Sequence, residues 1–294
     1  MKRSFIYLIR KKSLGDVLWI EPVIRQFAAQ YKKVIVFTKF PELFLHYPLP
    51  NVRFVKDLSN LEKVLWGLEN WFPLTRFFIS LDGAYEKNPK THILDAYQQK
   101  AGLPLTHEYP RLYLSQEERR FRPAIPEKQK YVVLHLESMA ERNYRNAFGI
   151  EWEKVVSALT AKGFAVIQVG KDITPIPGTS HIKTGIREVI GVINGAAFFI
   201  GLDSGPSHIA AALQVPSIIF FGAVNPHYRH FSDLFKGRFL QQYCEFAGCY
   251  HESLKETYHS CRLVGGQGIP KCSLHTTEYV LTNIDLLIRD YKII

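Results

Sequence analysis

The stretch "AFFIGLDSGPSHIAAALQVPSIIFFG", residues 197–222, carries the reading that decides the fold. It begins with an apolar run that stops at Asp203 and closes with a second apolar run, Pro216–Phe221. Between them lies "SHIAAALQ" (207–214), whose small alanines suit a short helix packed close against a sheet. A continuous apolar run reads as a strand buried on both faces, and strand–helix–strand is the unit from which parallel sheets are built. The turn Ser204-Gly205-Pro206-Ser207 opens the helix, and a helix N-terminus favours an anion. A turn needs Gly and Pro, but not an acid before them and a histidine after them. Asp203 reads either as a turn or cap residue or as a binding group. His208 reads either as a satisfied core histidine or as a ligand contact. Their position at a strand end, beside an anion-binding turn, favours function.

The same alternation runs outward along the chain. Strands are expected at 5–10, 33–38, 52–56, 77–83, 131–136 and 164–170, with helices at 17–31, 94–102, 151–162 and 186–194. The pattern is that of an α/β protein with parallel sheets covered on both faces. It repeats twice. The polar, Pro-containing segment 115–130 reads as a linker, so an N-terminal domain is expected over 1–125 and a C-terminal domain over 126–294. Ligands in such folds bind beyond the carboxyl ends of the strands, which makes a cleft between two halves the natural site. A final helix, Thr277–Tyr291, is expected to cross back onto the first domain.

The chain has 294 residues, is 47% hydrophobic and carries a net charge of +10 with a pI near 9.3. That surplus points to anionic partners: phosphorylated small molecules, lipid head groups or nucleic acid. The apolar run Phe5–Ile9 is short and followed by basic residues, so it reads as a first strand and not as a leader. No run reaches the length of a membrane span, and a cytoplasmic protein, with peripheral contact at the inner membrane face, is expected. Neither G-x-G-x-x-G after the first strand nor G-x-x-x-x-G-K-[ST] occurs, which argues against dehydrogenases and P-loop enzymes.

Three other loops after strands hold candidates. In "RKKSLGDVLWIEP" (10–22), Gly15 permits a tight turn and Asp16 stands at a helix start. Asp16 is either an N-cap or a carboxylate poised as a general base, with Lys11 and Lys12 favouring its ionised form. Lys12, Ser13 and Gly15 would form an acceptor-side surface. In 137–152, Ser138, Arg142 and Arg145 follow a strand, and arginine suits bidentate recognition of phosphate. Glu188, early on a helix, either complements the helix dipole or accepts from ribose hydroxyls.

On "SLGDVLWIEPVIRQF" and "TGIREVIGVINGAAFFIGLDSGPSHIAAALQVPSIIFFGAVNP", the chain resembles glycosyltransferase family nine, which includes the ADP-heptose:lipopolysaccharide heptosyltransferases. The resemblance implies a GT-B architecture, two Rossmann-like domains facing a cleft, with the acceptor on the first and the nucleotide sugar on the second. It places Asp16 on the catalytic base, and Ser138, Arg142 or Arg145, Glu188, Asp203, Ser204, Gly205 and His208 on the donor side. The implied reaction is inverting transfer of a heptose from ADP-heptose to a lipopolysaccharide core or other surface glycan, with no cofactor required for catalysis. A protein acceptor is the alternative. A DNA acceptor and a non-catalytic nucleotide-sugar binder rank below it, because no nucleic-acid motif is present and Asp16, Asp203 and His208 are all intact.

All four cysteines, Cys244, Cys249, Cys261 and Cys272, fall in one segment, with His251 and His259 among them. The spacing is looser than in a zinc ribbon. A structural Zn or Fe site, free thiols and disulfides all remain open readings. The segment resembles the iron-binding cysteine finger of autotransporter heptosyltransferases.

Overall fold

The computed structural model describes residues 2–71, 77–137, 145–171, 174–251, 261, 263–264 and 268–294. The chain divides into two compact units, Met1–Tyr113 and Leu114–Ile294.

The first unit is built on a four-stranded parallel sheet, β1 (Arg3–Ile9), β2 (Tyr31–Phe37), β3 (Val52–Val55) and β4 (Phe78–Ser80), in the order β3-β2-β1-β4. Ile6, Leu8 and Ile9 of the inner strand β1 are fully buried, as an unalternated apolar run requires. The helix expected over 17–31 is two helices, α1 (Leu14–Leu18) and α2 (Glu21–Gln30). The break has a local cause. Pro22 has no N–H to give the Leu18 carbonyl, so the turn between them cannot continue as α-helix. α2 buries Val23, Ile24, Phe27 and Ala28 on one face, the spacing of an amphipathic helix. α3 (Asn60–Trp71), α4 (Ala84–Lys87) and α5 (Ile93–Ala101) complete the unit.

The second unit opens with α6 (Gln116–Arg120), inside the stretch read as linker. Ser115 and Glu118 close a capping box: Ser115 Oγ accepts from the Glu118 amide at 3.1 Å and Glu118 Oε2 from the Ser115 amide at 2.8 Å. Arg187 donates to both carboxylate oxygens of Glu118 at 2.7 and 2.6 Å. The segment is therefore ordered, and the division between units falls at residue 114 and not near 126.

Six parallel strands follow, in the order β10-β9-β8-β5-β6-β7. They are β5 (Tyr131–His135), β6 (Ala165–Gly170), β7 (Ser180–Lys183), β8 (Phe198–Leu202), β9 (Ser217–Phe220) and β10 (Gly237–Leu240). α7 (Trp152–Ala161), α8 (Ile186–Asn194), α9 (Gly205–Ala212) and α10 (Thr277–Asp290) connect or cover them. β8 and β9 are the two apolar runs of the opening stretch, paired in register from Phe199 with Ser217 to Leu202 with Phe220. Val280, Ile284, Leu287 and Ile288 of α10 join the core formed by β5, β6, β8 and α7. The last helix thus contributes to the second unit's own core.

Candidate functional site

In the first unit, β1 delivers its carboxyl end directly into the loop before α1. Asp16 lies inside α1, which excludes the N-cap reading, and its carboxylate turns away from the helix amides. Its Oδ2 accepts from Arg10 Nη2 at 2.6 Å and from the Tyr85 hydroxyl at 3.2 Å. Arg10, the residue just after β1, is 4% exposed and also meets Glu86 at 3.2 Å and Asp82 at 3.6 Å. Its guanidinium lies 5.4 and 5.6 Å from the ring centres of Tyr85 and Tyr97. Burial works against that charge, but Tyr97, Asp16, Glu86 and Tyr85 together hold its pKa above the ordinary arginine value. Both of these hydrogen bonds to Asp16 reach Oδ2, on one side of the carboxylate.

Arg10, not Lys11 or Lys12, is the cation at Asp16. Lys11 Nζ stands 3.4 Å from Asp82, and Lys12 is exposed. Ser13, before α1, has φ 68°, in the region that favours glycine, and its side chain caps nothing. A non-glycine residue held there stores on the order of 1–3 kcal/mol of strain, a feature that clusters at functional loops. Gly15 is buried beside Asp16.

In the second unit, β8 ends at Leu202 and hands over to Asp203, which is buried. His208 Nε2 lies 3.7 Å from Asp203 Oδ1, an ion pair when the imidazole is protonated. The His208 ring stacks on that of His230 with centres 4.7 Å apart. Ser204 is the N-cap residue of α9, and its amide donates to Ser207 Oγ at 3.1 Å. Its hydroxyl donates to the Leu202 carbonyl at 3.1 Å and meets His135 Nδ1 at 3.2 Å. The row of turn amides expected to face an anion is also thinner than the sequence implied. The Ser207 and His208 amides both reach the Ser204 carbonyl, and Pro206 has none, which leaves the Gly205 N–H at the helix end. His135, at the end of β5, is buried, and burial lowers its pKa from 6.5 to about 4, so it stays neutral in the folded protein.

Glu188 behaves as a helix-start residue: its Oε2 accepts from the Gly185 amide at 2.7 Å. Arg145 projects its guanidinium 5.9 Å from the Tyr250 ring centre, and Arg229 lies 5.8 Å from the same centre. Arg229 is 3% exposed, a buried cation that sequence reading did not single out. Its only signal was a basic residue in "NPHYRH", shortly after β9. Ser138 and Arg142 lie outside the described residues.

None of the four cysteines is joined in a disulfide; Cys244 and Cys272 are buried, Cys249 and Cys261 half-buried. The Cys272 pKa is pushed up to about 11, first by burial, with Cys244, Cys249 and Cys261 each adding to the rise. Cys272 is thus within electrostatic reach of the other three cysteines, although no three His, Cys, Asp or Glu side chains close into a metal-binding set among the described residues. His259 lies outside them.

The pattern of glycosyltransferase family 9 (heptosyltransferase) matches residues 181–234, the span from β7 through the β8–α9 turn to Arg229 and beyond. Lipopolysaccharide heptosyltransferase 3 of Escherichia coli K12 is 32% identical over 123 residues, 36% of this chain and 35% of that protein. The autotransporter heptosyltransferase Aah of Escherichia coli is 24% identical over 242 residues, 72% of this chain and 59% of that protein. The chain therefore spans about a third of the first relative's length and under two thirds of the second's. Among solved structures, the iron-containing dodecameric glycosyltransferase TibC from enterotoxigenic E. coli H10407 superposes with a TM-score of 0.73 at 18% identity, over 99% of this chain and 77% of that one. TibC has also been solved in complex with ADP-D-beta-D-heptose. The pair of parallel-sheet α/β units is that of the GT-B class. By a signature over residues 181–234 and by fold, the chain is similar to the glycosyltransferase family 9 heptosyltransferases.

Proposed function

We propose that the chain is an inverting glycosyltransferase that moves a heptose from ADP-heptose to a lipopolysaccharide core or other surface glycan. The observation that carries the reading is Asp16, a carboxylate held through Oδ2 by Arg10 and Tyr85. The family signature over the β8–α9 turn supports a sugar-nucleotide partner for it. In this reading Asp16 Oδ1 removes the proton of an acceptor hydroxyl. The hydroxyl oxygen forms a bond to the anomeric carbon on the face opposite the diphosphate. The bond from that carbon to the diphosphate oxygen breaks, and ADP leaves with the electron pair. The Gly205 amide, Arg145 and Arg229 supply positive potential for the departing charge. Asp203 and His208 position the turn.

Purified protein offered ADP-heptose and a heptose-deficient lipopolysaccharide core should form glycosylated product and ADP. Asp16→Asn should lower kcat by roughly 100-fold or more while leaving ADP-heptose affinity intact. Transfer by Asp16→Asn at the wild-type rate would remove the base assignment, and absence of any nucleotide-sugar binding would remove the transferase reading.

A protein acceptor is the second reading. The three cysteines within electrostatic reach of Cys272 favour it, since the autotransporter heptosyltransferases are among the relatives and TibC is described as iron-containing. Four thiolates suit Fe or Zn in a closed, structural site, which leaves no position open for substrate. Metal analysis of the purified protein should find about one equivalent of iron or zinc, lost in Cys244→Ser and Cys272→Ser together with thermal stability. A metal-free wild type of unchanged melting temperature would exclude the site.

A further inference from the structure

α3 lies on the sheet of the first unit with its faces exchanged. Its contacts inward are made by Glu62, Trp66 and Glu69. Glu62 accepts from the Tyr7 hydroxyl at 2.8 Å and from the Ser59 amide at 2.7 Å, and Glu69 accepts from the Phe78 amide at 3.2 Å. Trp66 packs against Ile9, Phe37 and Leu58, with Lys11 Nζ 5.3 Å from its ring centre. The aliphatic residues face the other way. Leu61, Val64, Leu65 and Leu68 stand at i, i+3, i+4 and i+7 and are 69, 58, 46 and 54% exposed. A stripe with that spacing is what a globular helix ordinarily turns into its core. Glu62 and Glu69 are held to the sheet side, while the exposed arc carries Lys63.

The surroundings are basic. Arg53 on β3 is exposed and acts electrostatically on both Tyr7 and Glu62; Lys56, just beyond the end of that strand, is exposed with its Nζ 3.9 Å from Glu42 Oε1, and Lys39 pairs with the neighbouring Asp57 at 3.1 Å. Residues 1–113 hold 17 Lys and Arg against 10 Asp and Glu, so +7 of the chain's +10 belongs to the unit that bears the stripe.

We infer that α3 is a membrane-surface helix, which lays Leu61, Val64, Leu65 and Leu68 into the headgroup boundary of an anionic bilayer while Arg53, Lys56 and Lys63 face the lipid phosphates. Apolar insertion combined with cationic flanks is the pairing that holds amphipathic helices at such interfaces. A second copy of the chain fits less well. Four partly exposed side chains on one helix fall well short of the ~800 Å² per partner that a stable protein interface buries. Two copies would also bring like charges together, which an anionic surface does not. The inference goes beyond the transfer reading and does not depend on it.

The test is sedimentation of the full chain with vesicles of phosphatidylcholine alone and of phosphatidylcholine mixed with phosphatidylglycerol. Wild type should pellet with the anionic vesicles at low salt, release at high salt, and ignore the neutral ones. The triple variant Leu61→Ser, Leu65→Ser, Leu68→Ser should bind the anionic vesicles at least about tenfold more weakly. Its melting temperature and ADP-heptose affinity should be unchanged, since the three side chains are exposed. Lys63→Glu, which leaves the stripe whole, should weaken binding at low salt alone. Absence of wild-type binding to anionic vesicles, or equal binding by the triple variant, would overturn the inference. So would light scattering that shows a wild-type oligomer dissociated by the triple variant, which would assign the stripe to a second copy.

Discussion

Asp16 was legible as a candidate because a carboxylate followed a strand and a Gly turn. Its state was not. The groups that fix it are Arg10, six residues back, and Tyr85, brought in by α4. Local reading favoured Lys11 and Lys12, which are nearest along the chain; the fold turns Lys11 to Asp82 and leaves Lys12 in solvent. If Arg10 orients the base through its planar fork, Arg10→Lys keeps the charge and loses the geometry. The expected outcome is a lower kcat with an unchanged KM for the donor, measured against an intact melting temperature. His135 gives a second test at this scale. Its folded pKa, about 4, lies below its ordinary 6.5, so the unfolded chain takes up the proton first as pH falls. Stability is therefore full above about pH 6.5 and declines toward pH 4, by up to roughly 3 kcal/mol from this group. Chemical denaturation across that window should show the decline, and His135→Gln should flatten it.

At the scale of elements, the strands that were readable are the ones with apolar runs. β7 and β10, both edge strands, were missed because they carry no apolar run: "SHIK" is largely exposed and "GRFL" begins with a glycine. Such strands are specified by pairing with a neighbour more than by their own composition. The opening stretch was read correctly as strand–turn–helix–strand, and one of its details becomes intelligible only in the sheet. A Cβ at Gly201 would lie 2.8 Å from the His135 carbonyl of the adjacent strand and 2.6 Å from the Phe199 ring. Gly201→Ala should therefore destabilise the protein by roughly 1–3 kcal/mol, read as a lower denaturation midpoint with an unchanged slope. The helix expected over 17–31 was correct in type and wrong in continuity, because one proline outweighs a sound apolar period.

At the scale of the whole molecule, the two-part α/β organisation was legible because strand–helix alternation persists through both halves. The exact division was not, because "SQEERRFRPAIPEKQK" looks like linker until Arg187 is seen to grip Glu118. The second unit also depends on residues at the far end of its span. α10 supplies Val280, Ile284 and Leu287 to the core, and Lys130, just before β5, donates to the carbonyl of Ile293. A chain ending before Thr277 should therefore lose the second unit to limited proteolysis while residues 1–113 survive as a resistant fragment; equal resistance of both would contradict this dependence.

That tie between Lys130 and Ile293 has a consequence for biosynthesis. The first unit has every strand and helix of its sheet by residue 113 and can fold while the ribosome is still working. The second cannot close its core until α10 has left the exit tunnel. For most of its translation, the buried faces of β5, β6, β8 and β9 are without their cover, which makes nascent chains stalled between residues 220 and 277 the natural clients of ribosome-bound chaperones.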